Sequence, residues 1–210
     1  MLSWRNNKSI INTIMFNLKI ISSTVRPGRK GPLIAEWIAN LAKASGDFNV
    51  EVVDLGEVNL PMMNEPHHPL QRKYVHEHTM QWSSLIDSAD AFIFVTAEYD
   101  YNYPAPLRNA LEYLFHEWGY KAAGIVSYGG VSAGTRASNN LKADLSTFKI
   151  VPLAESVNFP FFSTHINEAG EFKPGAPSYK AAETMLRELV RWTRGLKLIK
   201  ENSFEVAAQH

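Results

Sequence analysis

The sequence predicts an α/β fold in which a five-stranded parallel sheet carries helices on both faces. Five short β-type runs recur along the chain, and each is followed by a loop and then by a segment of helical period. No sequence repeat or low-complexity linker interrupts them, and 210 residues that are 45% hydrophobic suffice for one compact domain with a sizeable core.

The first run is Leu18 to Ile21, followed by a helix whose Ile34, Trp37, Ile38, Leu41 and Ala42 share one face. Val50 to Val53 forms the second, and a Pro- and His-containing loop from Leu60 to His78 leads from it to a helix with Trp82, Leu85, Ile86 and Ala89 inward. The third run, Ala91 to Val95, contains Phe92, Ile93, Phe94 and Val95 in succession, which marks a central strand buried on both faces. Its helix carries Leu107, Ala110, Leu111, Leu114 and Phe115, with Pro104 and Pro106 near the start, where an imino nitrogen costs no helix bond. Ala122 to Ser127 is the fourth strand, with a helix over about Thr135 to Ser146, and the fifth runs roughly from Val151 to Val157. After a Gly/Pro-rich loop from Gly170 to Pro177, the last helix spans about Tyr179 to Thr193 and turns Ala182, Met185, Leu186, Leu189 and Val190 inward. The domain is therefore expected over residues 16–196, with a disordered tail at 1–15 and a C-terminal tail at 197–210.

Lys plus Arg equals Asp plus Glu, so net charge gives no reason to expect a nucleic-acid or membrane partner. There is nevertheless no acidic residue from Met1 to Ala35, a stretch that holds Arg5, Lys8, Lys19, Arg26, Arg29 and Lys30, so the first loop is expected to meet an anion. The absence of cysteine excludes disulfides, thiol redox pairs and thiolate metal sites, and leaves any redox chemistry to a bound cofactor. No apolar run is long enough to cross a bilayer, and Met1 to Met15 lacks the apolar core of a signal peptide, so a cytoplasmic location is expected. A short transit peptide is the competing reading of that basic stretch.

A doubly wound sheet binds ligands outside the C-terminal ends of its strands. Three loops fall there. The first, Ser22 to Pro32, combines hydroxyls, two glycines, three cations and a helix N-terminus, which together suit an anion. It is neither a Gly-x-Gly-x-x-Gly turn nor a P-loop, so a terminal monophosphate fits it better than a dinucleotide or a triphosphate; the bland alternative is a solvated basic loop. The second, Thr96 to Pro106, brings Tyr99, Tyr101 and Tyr103 to the switch point, a surface for a planar aromatic ligand or for local packing. The third, Ser127 to Arg136, opens with Gly129 and Gly130 and permits close approach of a planar ligand, or simply a tight turn.

In combination and in this order, three segments between about Leu18 and Arg194 resemble the NADPH-dependent FMN reductase family, which includes quinone and azo reductases of flavodoxin-like fold. Ser23 to Arg29 resembles its Gly-Ser/Thr-x-Arg phosphate loop, Glu98 to Leu111 its Pro-x-Tyr-Asn segment and following helix, and Ser127 to Gly130 its third flavin loop. Ala97 replaces the family's proline, Asp100 its asparagine, and Ser23 stands where many members have glycine. The resemblance implies a three-layer sandwich of strand order 2-1-3-4-5, FMN as resident cofactor and NADPH or NADH as hydride donor. It further implies that Ser23, Thr24, Arg26 and Arg29 bind the FMN phosphate. Ala97, Glu98, Tyr99, Asp100 and Tyr101 would line the ring, through main chain rather than the Asp100 carboxylate, and Ser127, Tyr128, Gly129 and Gly130 would close over its polar edge.

On that reading electrons pass to a quinone-like or other small acceptor, no side chain acts as acid or base, and no metal is needed. A homodimer is implied, with an interface expected near Tyr113, Trp118 and Tyr120. A flavodoxin-type electron carrier and a non-catalytic binding module on the same scaffold are the alternatives. His116, at the end of the third helix, reads as a pocket residue or, at least as readily, as a helix-end cap or a contact to a partner subunit, and His67, His68, His76 and His78 lack the spacing of a metal site.

Overall fold

The computed structural model describes residues 15–207, with side chains as far as residue 202. The tail expected at 1–15 therefore lies, except for Met15, outside the described residues. Five strands, β1 (Phe16–Ser22), β2 (Phe48–Asp54), β3 (Ala91–Ala97), β4 (Ala122–Tyr128) and β5 (Val151–Phe159), form a parallel sheet in the order β2-β1-β3-β4-β5. β3 is buried at every position, as its unbroken apolar run requires. β5 is an edge strand, the place where Pro152 can sit without breaking an inner ladder, and the β4/β5 register shifts just beyond it.

Six helices complete the sandwich: α1 (Gly31–Ser45), α2 (Leu55–Val58), α3 (Glu77–Asp87), α4 (Ala105–Glu112), α5 (Thr135–Thr147) and α6 (Ala176–Ala207). α1 and α6 cover one face, with Trp37, Ile38, Met185 and Leu189 in its core; α3, α4 and α5 cover the other, around Trp82, Leu107, Trp118 and Leu141. The indole N–H groups of Trp82 and Trp118 donate to the Ala110 and Leu111 carbonyls, which makes burial of these two large rings tolerable. α6 lies so close to β4 that a Cβ on Gly124 would stand 2.9 Å from the Met185 sulfur.

Of the C-terminal tail expected at 197–210, residues 197–207 continue α6 and 208–210 lie outside the described residues; Lys197 pairs with Asp90 at 2.7 Å, and Gly195 weakens the periodic signal without ending the helix. Tyr113 and Trp118 are fully buried within the chain and cannot form an interface, whereas Tyr120 is exposed at the N-terminal edge of the sheet. The short α2 had no periodic signal of its own. It starts because the Asp54 carboxylate caps it, accepting from Gly56 N–H at 2.8 Å.

Candidate active site at the C-terminal edge of the sheet

The loop after β1 makes a turn from Arg26 to Arg29, closed by Arg29 N–H on the Arg26 carbonyl at 3.1 Å, with Gly28 at a φ of 76°. Pro27 and Gly28 are its central residues, and the positive φ at the second of them favours glycine. The chain then enters α1 at Gly31, with Lys30 as the cap residue and no side-chain acceptor on the first turn. Ser22, Ser23 and Thr24 are all fully buried. The hydroxyl oxygens of Ser22 and Ser23 have no hydrogen-bond partner, while Thr24 Oγ1 lies 3.3 Å from the Tyr128 hydroxyl.

Gly31 is required by this crowding. A Cβ there would stand 2.5 Å from Thr24 Oγ1, 2.8 Å from Ser22 Oγ and 3.1 Å from the Tyr128 hydroxyl. Buried hydroxyls without partners are costly, and here they gather at the positive end of a 15-residue helix. The donor set fits a phosphate ester: short neutral donors, helix amides and nearby cations. Burial pushes the Tyr128 hydroxyl up to about 12, so it remains a donor at neutral pH.

The two arginines assigned to the phosphate behave differently. Arg26 is exposed and its guanidinium lies 5.8 Å from the centre of the Tyr99 ring, joining the first loop to the second. Arg29 donates to Asp54 at 2.8 Å, and its Nε is buried without a partner. Arg29 is thus anchored from behind by the residue that caps α2, a pairing across 25 positions that loop composition does not reveal.

After β3, Tyr99 and Asn102 exchange both main-chain hydrogen bonds, 2.8 and 2.9 Å, around Asp100 and Tyr101 at φ values of 48° and 69°. Two consecutive left-handed residues make this a type I′ hairpin turn, normally the province of Asn-Gly. Asp100 and Tyr101 are exposed and Tyr99 is partly so. The Glu98 carboxylate is engaged within the protein: one oxygen accepts from Arg136 and the other from Ser132 at 2.9 Å. Burial pushes the Glu98 carboxyl up, but the bonds from Arg136 and Ser132 outweigh it and hold the group below the usual carboxylate range.

The loop after β4 is held from below. Ser127 Oγ bonds the Ala133 carbonyl and Asn158 Oδ1, each at 2.8 Å, and is committed to the protein. Gly129 N–H donates to the Phe159 carbonyl, while the carbonyls of Gly129 and Gly130 accept from the N–H groups of Phe162 and Phe161. The β5–α6 connection is therefore a fourth wall, and Phe161, 56% exposed at a φ of 44°, stands beside Gly130. Nothing in the local sequence of Phe159 to Phe162 separates these rings from ordinary core.

A cavity of about 310 Å³ opens beside the first two loops, lined by Val25, Leu60, Met62, Pro106 and Asn109 among others. Asn109 fixes its floor by donating to the Pro61 carbonyl and accepting from Met63 N–H. A larger hollow of about 440 Å³ lies at the opposite edge of the sheet, where Lys121 donates to the Ile86 and Asp87 carbonyls at the end of α3. Among the histidines at the start of α3 and after α4, His116 Nε2 is 3.0 Å from the Leu70 carbonyl, and the rings of His76 and His78 stack 5.1 Å apart beside Asn64.

Residues 16–164 match the family model described as NADPH-dependent FMN reductase. An NAD(P)H-dependent FMN reductase of Schizosaccharomyces pombe is 41% identical over 145 residues, covering 67% of this chain and 72% of that protein. One of Saccharomyces cerevisiae is 32% identical over 174 residues, covering 71% of this chain and 90% of that protein. Among solved structures, a flavoenzyme NAD(P)H:(acceptor) oxidoreductase of Paracoccus denitrificans superposes with a TM-score of 0.68 at 19% identity, covering 86% of this chain and 98% of that one, which establishes the shared fold. The chain belongs to the NADPH-dependent FMN reductase family.

Proposed function

We propose that this member of the family, an FMN-dependent NAD(P)H oxidoreductase, holds the FMN phosphate between the loop after β1 and the first turn of α1. The single observation that carries this reading is the pair of buried, unpartnered hydroxyls on Ser22 and Ser23, the first of them directly against Gly31 at the start of α1. Ser22, Ser23 and Thr24 would donate to the phosphate, Arg26 would close over it from solvent, and Arg29, held on Asp54, would turn its Nε edge inward. The main chain of Ala97 to Tyr101 would support the ring, with Gly129 and Gly130 allowing close approach at its edge. When bound, FMN supplies the hydride acceptor and the onward electron donor. The protein contributes position, a dry sheet edge and a protonated Tyr128.

The apolar cavity lined by Leu60, Met62 and Pro106 is the proposed seat of the apolar part of a quinone-like acceptor. We also propose a cytoplasmic homodimer. Among the described residues no helix is long and apolar enough to cross a membrane, and Met62, Leu70, Val75 and Met80 leave apolar surface exposed on and around the 60–80 segment. Light scattering tests the dimer; a monomer overturns it.

The decisive experiment is the absorbance spectrum of purified protein, followed by FMN titration and anaerobic addition of NADPH. A bound-flavin spectrum that bleaches with NADPH is expected. Protein that fails to quench flavin fluorescence on titration overturns the assignment of the site.

A further inference from the structure

We infer that Arg136 and Glu98 are positioning residues that set the loop beneath the flavin ring without touching the cofactor; the inference rests on the FMN reading above. The turn from Tyr99 to Asn102 places Asp100 and Tyr101 in left-handed backbone, although neither is glycine. Such a turn is held from outside or not at all. Its restraints come from a different segment, the start of α5 and the loop before it.

The Arg136 guanidinium lies 3.7 Å from the centre of the Tyr101 ring, a stacking distance. Its Nε and an Nη donate to Glu98 Oε1 at 2.6 and 2.5 Å. Ser132 Oγ occupies Glu98 Oε2, and Asn140 Nδ2 donates to the Tyr101 carbonyl at 3.1 Å. One cation thereby grips the turn twice: the residue before it through an ion pair and its apex through a ring face. The Glu98 side chain is 7% exposed and that of Arg136 40%, so the carboxylate is sheltered while solvent reaches the pair from the guanidinium side.

Both Glu98 oxygens are engaged within the protein, which leaves the carboxylate no role as a direct flavin ligand. What the pair controls is the direction of the main chain from Ala97 to Tyr101, and with it how the ring lies. The effect should therefore fall on the ring and not on the phosphate. Riboflavin, which has the ring without the phosphate, separates the two.

The test compares FMN and riboflavin binding, the visible spectrum and the midpoint potential of bound flavin in wild type, Arg136→Ala, Arg136→Lys and Glu98→Gln. For Arg136→Ala we expect Kd to rise about tenfold for FMN and by the same factor for riboflavin, with the bound spectrum moving towards that of free flavin. Arg136→Lys retains charge but not the planar fork, and should rescue only part of the loss. Glu98→Gln should shift the potential in the same direction as Arg136→Ala; it and Arg136→Lys carry the test should Arg136→Ala not fold. Variants that bind both ligands with wild-type affinity, spectrum and potential overturn the inference while the flavin reading stands. A loss confined to FMN also overturns it, because Arg136 would then act on the phosphate. Wild-type protein that binds neither ligand overturns both.

Discussion

The loop after β1 and the pair of loops after β3 and β4 sit side by side at one edge of the sheet, yet they spend their polar groups in opposite ways. In the first, Ser22 Oγ, Ser23 Oγ and Arg29 Nε are buried without partners. In the other two, Glu98, Ser127, Ser132, Arg136 and Asn140 are bonded to one another or to main chain. The first is unsatisfied and suits a ligand that brings its own oxygens. The second pair is a finished platform, suited to a ligand that asks for shape. A phosphorylated planar cofactor needs one of each.

The largest expected effect breaks the first half of that contrast. Gly31→Val places branched carbon where three hydroxyl oxygens converge, and should weaken FMN binding about a hundredfold, measured by fluorescence quenching, with riboflavin affected much less. Arg29→Ala should weaken FMN by about tenfold, the order expected for one charge-assisted hydrogen bond, again sparing riboflavin. Equal loss of both ligands would show that Arg29 serves the fold alone. Ser22→Ala should cost FMN affinity about fivefold while leaving the Tm of the flavin-free protein equal or higher, since it removes a buried hydroxyl without a partner. A fall in that Tm would show that the hydroxyl is satisfied in the free protein.

The smallest effect concerns the platform and acid. Glu98 has a folded pKa below its ordinary value, so the stabilisation it provides is complete above the unfolded carboxylate range and is lost as pH falls through the folded value. Wild type should thus be more stable than Glu98→Gln at neutrality, and the two should converge as pH falls below the ordinary glutamate value and on through the lower folded one. Denaturant midpoints across that range provide the measurement. A gap that persists undiminished into acid would assign the effect to something other than the Glu98 charge.

The fold was readable because its signals are local. Phe92 to Val95 announces a central strand and Leu107, Ala110 and Leu111 announce an amphipathic helix within a few residues of sequence. The strands outrun their apolar runs, since Phe16, Asn17 and Asp54 extend the ladder by pairing that needs no apolar side chain. The three site loops were likewise visible as composition. Their contents were less so: Arg29 meets Asp54 across 25 residues and Glu98 meets Arg136 across 38, and a pair of that kind exists only once the sheet has brought its strand ends together. Tyr113 and Trp118 misled for a related reason, since an aromatic near a helix end reads alike whether it faces a partner or the core.

Phe159 to Phe162 ties the glycine pair after β4 to β5, and β5 has a neighbour on one side only. Edge strands open more readily than central ones, in local excursions well short of global unfolding. The glycine pair after β4 is thus laced to a strand at the margin of the sheet, whereas the loop after β1 hangs from an inner strand. A disturbance confined to that margin would reach the proposed ring support while leaving the proposed phosphate loop and the inner ladder in place.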